Sequence, residues 1–298
     1  MKLLNNCNLC PRQCSIDRSS ALGFCKAPLS PKIARAALHY WEEPCISGTK
    51  GSGTVFFSGC NLKCVYCQNL KISQNGFGKE ISINRLSEIF IELFNQGAHN
   101  INLVSPTPYI PQIIEAIKNV RDIVKIPFIY NTGGYESTSS LELLQGSIDI
   151  FLTDIKYKNP RLSQKYSGAS DYFEKSLAAA KKMIDLCGEP KFGSDGLLKS
   201  GVIIRHLVLP GCRKDSIEIL NRVAEEIPKE QFVLSLMSQY TPDCISLTNF
   251  PELCRRVTSF EYTSVVDAAI NLGFDSGYMQ ERSSAKQKYT PPFDLSGV

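Results

Sequence analysis

The 298-residue chain predicts an α/β fold: a partial (β/α)6 TIM-type barrel preceded by a small Cys-rich metal-binding segment. Three observations carry this expectation. From Thr54 onward, short β-branched or aromatic runs alternate with stretches whose apolar residues recur at helical spacing, the pattern of a parallel sheet with helices outside. Six such units occur rather than eight, so the barrel is expected to stay open. Ahead of them, four Cys fall between Cys7 and Cys25 with too little apolar sequence to make a core of their own. The expected divisions are a Cys-rich segment over 1–50, the barrel over 51–280 and a C-terminal tail over 281–298, with Ser283–Val298 loose.

Composition narrows the class. A hydrophobic fraction of 43% allows a full core. The charge balance, 33 − 29 or +4, is mild and spread out, which gives no case for nucleic acid. No apolar run approaches the length needed to span a bilayer, and Met1-Lys-Leu-Leu-Asn-Asn6 has no signal-peptide core. A cytoplasmic protein without a membrane partner is expected. Twelve Cys in such a chain point to metal or redox chemistry rather than a disulfide frame.

Taken in order, the chain opens with Cys7-x2-Cys10-x3-Cys14 and then Cys25, with loop-forming Pro11, Arg12, Asp17, Arg18 and Gly23 between them. Tetrahedral zinc and an iron–sulfur cluster both accept four thiolates. Zinc is favoured because nothing in the segment demands redox activity, and free or redox-paired thiols are the alternative. Ile33–Tyr40 alternates weakly as a strand. Glu42, Glu43 and Cys45 follow Trp41, either as an active-site lip with Cys45 a spare thiol near the chemistry, or as a turn packed on Trp41. The run from Thr54 is the first barrel strand, and Gly59 ends it. A loop then delivers Cys60, Cys64 and Cys67. Three thiolates are one short of the usual four for a cubane cluster, so one iron would stay open for another molecule. A structural zinc site is the alternative.

The remaining elements follow the hydrophobic period. Asn84–Gln96 reads as a helix, with Leu86, Ile89, Phe90 and Leu93 on one face. The second strand is Asn100–Val104, ended by Ser105-Pro-Thr-Pro-Tyr109, and a helix starts at Ile110–Ile117. Ile126–Asn131 is the third strand, and Ser137 is placed to cap a helix over Leu141–Leu144. Ile148–Asp154 is the fourth strand, Asp171–Leu186 a long helix, and Gly201–Val208 the fifth strand, stopped by Pro210-Gly211. A helix over Ser216–Glu226, a sixth strand over Phe232–Met237 and a last helix over Glu261–Leu272 complete the pattern.

Ligands of parallel α/β sheets bind at the carboxyl ends of the strands. Here those ends offer, strand by strand, the three Cys; Ser105 and Thr107; Asn131 and Thr132 with Gly133 and Gly134; Asp154 and Lys156; Arg205 and His206; and Ser238, Gln239 and Tyr240. Lys156 and Arg205 suit a carboxylate, and Asp154 suits an ammonium or sulfonium. A surface ion pair between Asp154 and Lys156 is the competing reading. Arg205 and His206, adjacent in a strand, point to opposite faces. His39 and His99 have no evident partners, and Cys187, Cys212, Cys244 and Cys254 read as ordinary scattered thiols.

The Cys60-x3-Cys64-x2-Cys67 loop after a first strand, with Tyr66 just before the last Cys, resembles the radical S-adenosylmethionine (SAM) superfamily. Within it, the chain from about residue 7 to the C-terminus is similar to the pyruvate formate-lyase-activating enzyme-related (PflX-like) proteins, and the opening Cys7-Asn-Leu-Cys10-Pro-Arg-Gln-Cys14 resembles the N-terminal segments of several of them. The resemblance implies a [4Fe-4S] cluster on Cys60, Cys64 and Cys67, with the open iron chelated by the amino and carboxylate groups of SAM. An electron from a donor such as flavodoxin or ferredoxin would then cleave SAM to a 5′-deoxyadenosyl radical that abstracts hydrogen. It also implies that Asp154, Lys156 and Arg205 meet SAM, with Arg205 facing inward and His206 packed. Most relatives carry Gly-Gly-Glu or Gly-Gly-Asp after the second strand, where this chain has Ser105-Pro-Thr-Pro-Tyr109. The SAM amino group is therefore expected on Ser105 or Thr107 and backbone carbonyls. Three functions stay open: hydrogen abstraction from a protein or peptide, as glycyl-radical activating enzymes perform; a radical maturase or small-molecule enzyme; and a zinc-stabilised binding protein without catalysis.

Overall fold

The computed structural model describes residues 2–242, 247–275, 277–280 and 290–298. Its strands are β1 (Lys32–His39), β2 (Ser52–Phe57), β3 (Lys79–Glu80), β4 (Ile101–Val104), β5 (Phe128–Thr132), β6 (Ile150–Asp154), β7 (Lys191–Phe192), β8 (Leu198–Leu207), β9 (Val233–Met237) and β10 (Gly277–Met279). Its helices are α1 (Pro44–Ser47), α2 (Leu70–Ser73), α3 (Ile83–Asn95), α4 (Ile110–Val120), α5 (Thr138–Glu142), α6 (Pro160–Ser167), α7 (Tyr172–Cys187), α8 (Arg213–Glu226) and α9 (Ser259–Asn271). The strands β2, β4, β5, β6, β8, β9 and β10 pair in parallel, each with the next. β1 adds antiparallel to β2, and β3 to β1. The order is β10-β9-β8-β6-β5-β4-β2-β1-β3, and among the described residues its two ends do not pair.

Sequence pattern explains why the sheet sits in the middle. Every residue of β2, β4, β5 and β9 is buried, as expected when both faces of a parallel sheet are covered. The helices α3 and α4 lay their apolar stripes against it, with Phe90 of α3 edge-on to Phe128 of β5 at 5.3 Å. Glu261 of α9 and Thr258 close a capping box. Among the described residues, no helix is long and apolar enough to cross a membrane.

Several elements depart from expectation. α6 was not foreseen, because its polar sequence lacks a helical stripe. Its punctuation is nevertheless present: Asn159 caps Arg161 N at 2.9 Å, Pro160 begins the helix, and Gly168 ends it in the left-handed region at φ 68°. α5 starts earlier than Leu141, and Ser137 occupies its N-cap position without a side-chain bond. β10 adds a short strand beyond the six.

The expected loose tail is ordered over its described part. Leu295 N donates to Ala34 O at 3.0 Å, and Ala36 N donates to Ser296 O at 2.8 Å. Arg35 pairs with Asp294 at 2.7 Å, and Phe293 is buried edge-on to Phe56 at 5.5 Å. The physical reason is the outer edge of β1, whose backbone groups β3 covers only at Lys32 and Ile33. Residues 281–289 of the tail, and Cys244, lie outside the described residues.

Candidate functional site

The site begins where β2 ends. Gly59 takes φ +94°, and a Cβ there would meet the carbonyl oxygen of Cys25 at 2.8 Å, so glycine lets the chain turn tightly against the N-terminal segment. Lys63 N donates to Ser167 O at 3.0 Å and Val65 N to Tyr166 O at 2.9 Å, which pins the following loop to the end of α6. Each thiol has its own polar neighbour. Leu62 N lies 3.4 Å from Cys60 Sγ, Ser167 Oγ 3.0 Å from Cys64 Sγ, and Ser73 Oγ 3.3 Å from Cys67 Sγ. Burial pushes the Cys60 thiol up to about 12 and that of Cys64 to about 11, the latter opposed by the Lys156 ammonium. Such thiols stay protonated until a metal cation displaces the proton.

Cys64, Tyr66 and Cys67 form one end of a cavity of about 250 Å3 whose wall includes Asn131, Asp154, Lys156 and Arg205. Asp154 and Arg205 are register partners across β6 and β8, which sets them side by side. Arg205 is the hub. Its Nε donates to Asp154 Oδ1 at 2.9 Å, its Nη2 to Asn131 Oδ1 at 2.6 Å, and its Nη1 to Glu42 Oε2 at 3.3 Å. The other Glu42 oxygen accepts from Asn102 at 3.1 Å and Asn131 at 3.3 Å. Lys156 Nζ donates to Asp154 Oδ2.

The side chains of Asp154 and Lys156 are only 13% and 15% exposed, which excludes a surface ion pair. Burial works against the Asp154 carboxylate, but Lys156 and Arg205 together hold it below the usual range. For Glu42 the balance reverses: burial outweighs Arg205, and its pKa rises. Gly134, at φ +85°, comes so close to Asp154 that a Cβ would lie 2.0 Å from its carbonyl oxygen. The Tyr172 hydroxyl lies 2.8 Å from both Gly133 O and Asp154 O, and it accepts from Lys156 N at 3.2 Å. It thereby ties the ends of β5 and β6 together.

Of the expected site residues, Asn131, Asp154, Lys156 and Arg205 share the cavity with Cys64 and Cys67, and Cys60 is not part of its lining. Ser105, Thr107 and Thr132 do not line it. The hydroxyl of Thr107 donates to Glu136 Oε1 at 2.6 Å, the hydroxyl of Thr132 donates to the same oxygen, and Tyr130 OH donates to Oε2 at 3.3 Å. Ser105 sits at φ +59° with its N donating to Asn131 O at 2.9 Å. His206 faces away from the cavity. Its Nδ1 donates to Ile155 O at 2.7 Å, its Nε2 accepts from Ser216 at 2.8 Å, and burial pulls its pKa to about 4.

Cys45 is not near the three-Cys loop. α1 inserts it, with Ile46, among Ile129, Ile150, Leu152, Leu198, Ile203 and Val233, drawn largely from the starts of their strands. Trp41, ahead of the turn, is 52% exposed. Glu42 reaches the cavity, as the reading of an active-site lip has it for that residue. One site feature was missed. A hydroxyl relay runs from Tyr66 to Tyr157, to Ser167 at 2.9 Å, and on to Cys64; it depends on the unforeseen α6.

Cys7, Cys10, Cys14 and Cys25 line one small cavity of about 20 Å3 together with Arg12 and Arg18. Bonds from Cys7 N to Ile16 O at 2.8 Å and from Ser15 N to Cys7 O at 3.0 Å fold the segment around it, and Phe24 N lies 3.5 Å from Cys14 Sγ. Arg12 joins the two Cys groups, donating to Asn61 O at 2.9 Å and Gly168 O at 2.7 Å. Every described cysteine is a free thiol. Among the described residues, no three Cys, His, Asp or Glu gather as a single-ion site. Each thiol of the three-Cys loop has its own polar neighbour and could take a separate iron of a cubane.

A model of the radical SAM superfamily matches residues 54–222. The uncharacterized protein MJ0674 of Methanocaldococcus jannaschii is 28% identical over 289 residues, covering 93% of this chain and 78% of that protein. Among solved structures, Streptococcus suis SuiB bound to S-adenosylmethionine is similar with a TM-score of 0.52 at 13% identity, over 74% of this chain and 48% of that chain. SuiB bound to precursor peptide SuiA gives 0.52 at 12% identity, over 74% and 46%. The FeFe-hydrogenase maturase HydG from Carboxydothermus hydrogenoformans gives 0.52 at 14% identity, over 80% and 56%. The chain spans about half the length of these solved proteins, and the likeness at such identities is one of fold.

Proposed function

The chain belongs to the radical SAM superfamily, a family of enzymes that use a [4Fe-4S] cluster and SAM, and from that premise we propose that it cleaves SAM reductively and abstracts hydrogen from a protein, peptide or small-molecule substrate. The observation that carries this reading is the three-thiol loop opening onto a cavity with a buried Asp154–Arg205–Lys156 network. Cys60, Cys64 and Cys67 would hold the cluster, leaving one iron without a protein ligand. When bound, the cluster supplies the electron that splits the sulfonium of SAM.

The chain's own residues do the rest. Lys156 and Arg205 offer donors to a carboxylate, and Asp154 offers an acceptor to an ammonium. Glu42 and Asn131 each accept a hydrogen bond from the Arg205 guanidinium and are bonded to each other, so its direction is set before SAM arrives. Tyr66, edge-on to Tyr240 at 5.9 Å, helps keep water from the reacting end.

The Cys-rich opening supports a PflX-like relationship. The unpaired ends of the sheet support a partial barrel with room for a polypeptide at its side, as does the peptide complex of SuiB. Activation of a glycyl radical enzyme is one such role, and a maturase or small-molecule role uses the same chemistry. Cys7, Cys10, Cys14 and Cys25 would hold a second metal, as zinc or a further iron–sulfur cluster, and flavodoxin or ferredoxin would supply electrons. The free thiols suit a cytoplasmic setting.

The test is anaerobic reconstitution followed by assay of 5′-deoxyadenosine formed from SAM. Cys60→Ala, Cys64→Ala and Cys67→Ala should each lower it by a factor of about 100 or more, while leaving the fold intact by circular dichroism. Wild-type turnover in any of the three removes the assignment. Bound zinc with no SAM turnover in the wild type would mark a binding protein instead.

A further inference from the structure

A second cavity, of about 490 Å3, adjoins the first. It lies at the side where the sheet fails to close, between Tyr40–Pro44, which follow β1, and Gly277–Gln280 on and after β10. Trp41, Glu42 and Gln239 line both cavities, so one wall is shared.

Glu43 is the unusual residue in this second space. It is only 9% exposed, yet one of its carboxylate oxygens has no hydrogen-bond partner. Its neighbour Glu42 has both oxygens bonded. Burial and the Glu42 charge both push the Glu43 pKa up, and Arg205 offsets this only in part. A buried carboxylate with spare bonding capacity is costly unless a donor or cation completes it. The Arg205 guanidinium bonds Asp154, Asn131 and Glu42 rather than Glu43.

The cavity walls carry the complementary chemistry. Tyr40, Trp41 and Tyr278 bring aromatic rings to it, and Tyr40 and Trp41 are half exposed. Aromatic faces attract organic cations, and the attraction grows where water is excluded. A carboxylate among aromatic rings selects an alkylammonium or guanidinium over a neutral group of the same shape.

We propose that this second cavity binds the substrate by a cationic group, an alkylammonium or guanidinium that ends on Glu43. The source is either a Lys or Arg side chain of a peptide or a free amine. The proposal rests on the reading of the first cavity as the SAM site, since the shared wall would then hold the substrate beside SAM.

The test uses reconstituted protein with SAM bound and isothermal titration of four probes. These are Nα-acetyl-lysine methylamide, Nα-acetyl-arginine methylamide, spermidine, and the neutral Nα-acetyl-norleucine methylamide. At least one cationic probe should bind tenfold or more tighter than the norleucine probe. Glu43→Gln should remove that advantage, and Met279→Glu, at a 39% exposed wall position, should raise cation affinity two- to threefold. A blocked amino acid outbinding spermidine supports a peptide source, and the reverse supports a free amine.

Equal binding of the norleucine probe overturns the proposal. So does undiminished cation affinity in Glu43→Gln, or SAM affinity falling in step with probe affinity, which would place Glu43 in the SAM site. If Glu43→Gln does not fold, Met279→Glu decides, and no gain in that variant overturns the proposal. Because SAM binding is read on the same samples, failure of the SAM reading shows separately as lost SAM affinity in the wild type.

Discussion

Glu136 shows how far burial alone can move a side chain's chemistry. It is 1% exposed and accepts hydrogen bonds from Thr107, Thr132 and Tyr130, yet burial still pushes its carboxyl up to about 7. A folded pKa raised above the unfolded value favours the folded state at low pH. That contribution is complete below about 4.5 and is lost as pH rises through about 7. The span corresponds to roughly 3 kcal/mol. Glu136→Gln should therefore gain stability relative to the wild type by roughly that amount between pH 4.5 and 7.5, read by urea unfolding at each pH. A wild-type-to-variant difference that does not change with pH would show that Glu136 does not titrate in this range. The variant comparison is needed because His206, with a pKa near 4, acts in the opposite sense: its contribution is present above about 6.5 and lost as pH falls through about 4.

At the scale of the element, the loop after β5 decides how Asp154 is presented. Gly134 and Gly146 both take left-handed backbone, at φ +85° and +74°, but a Cβ on Gly134 would collide with the Asp154 carbonyl, whereas one on Gly146 would meet nothing within 4 Å. Gly146→Ala should cost only the backbone conformation, roughly 1–2 kcal/mol. Gly134→Ala should cost clearly more, because the β5 and β6 ends must separate, and SAM affinity should fall at least tenfold. Equal effects of the two substitutions on stability and on SAM binding would mean that the close approach does not matter.

At the scale of the whole molecule, the N-terminal segment and residues 290–298 both dock against the sheet and its loops. The Cys7–Cys25 segment packs under the loop of Cys60 through Gly59 and Arg12. Residues 290–298 cover β1, and Thr290 and Pro291 reach the wall of the first cavity. Phe293 anchors that segment against Phe56, and its carbonyl accepts from Lys71 at 2.7 Å. Phe293→Ala should destabilise the protein by about 3 kcal/mol in denaturant unfolding. A change below about 0.5 kcal/mol, the range of ordinary surface substitutions, would show that the segment is not docked in solution.

What the sequence determined by itself lies within a few residues of chain. The Cys60–Cys64–Cys67 loop, the run of strands and helices, and the succession Asp154-x-Lys156 are local patterns, because covalent geometry places residues close in sequence close in space. Only the tertiary structure decided which strand-end groups share a cavity. Thr107 and Thr132 sit at strand ends as expected but turn to Glu136, because a buried carboxyl takes the nearest hydroxyls. Ser167 meets Cys64 across 103 residues, and Glu42 meets Arg205 across 163. No spacing rule reaches that far; the packing of the sheet and its helices selects those pairs, and with them the interior of the site.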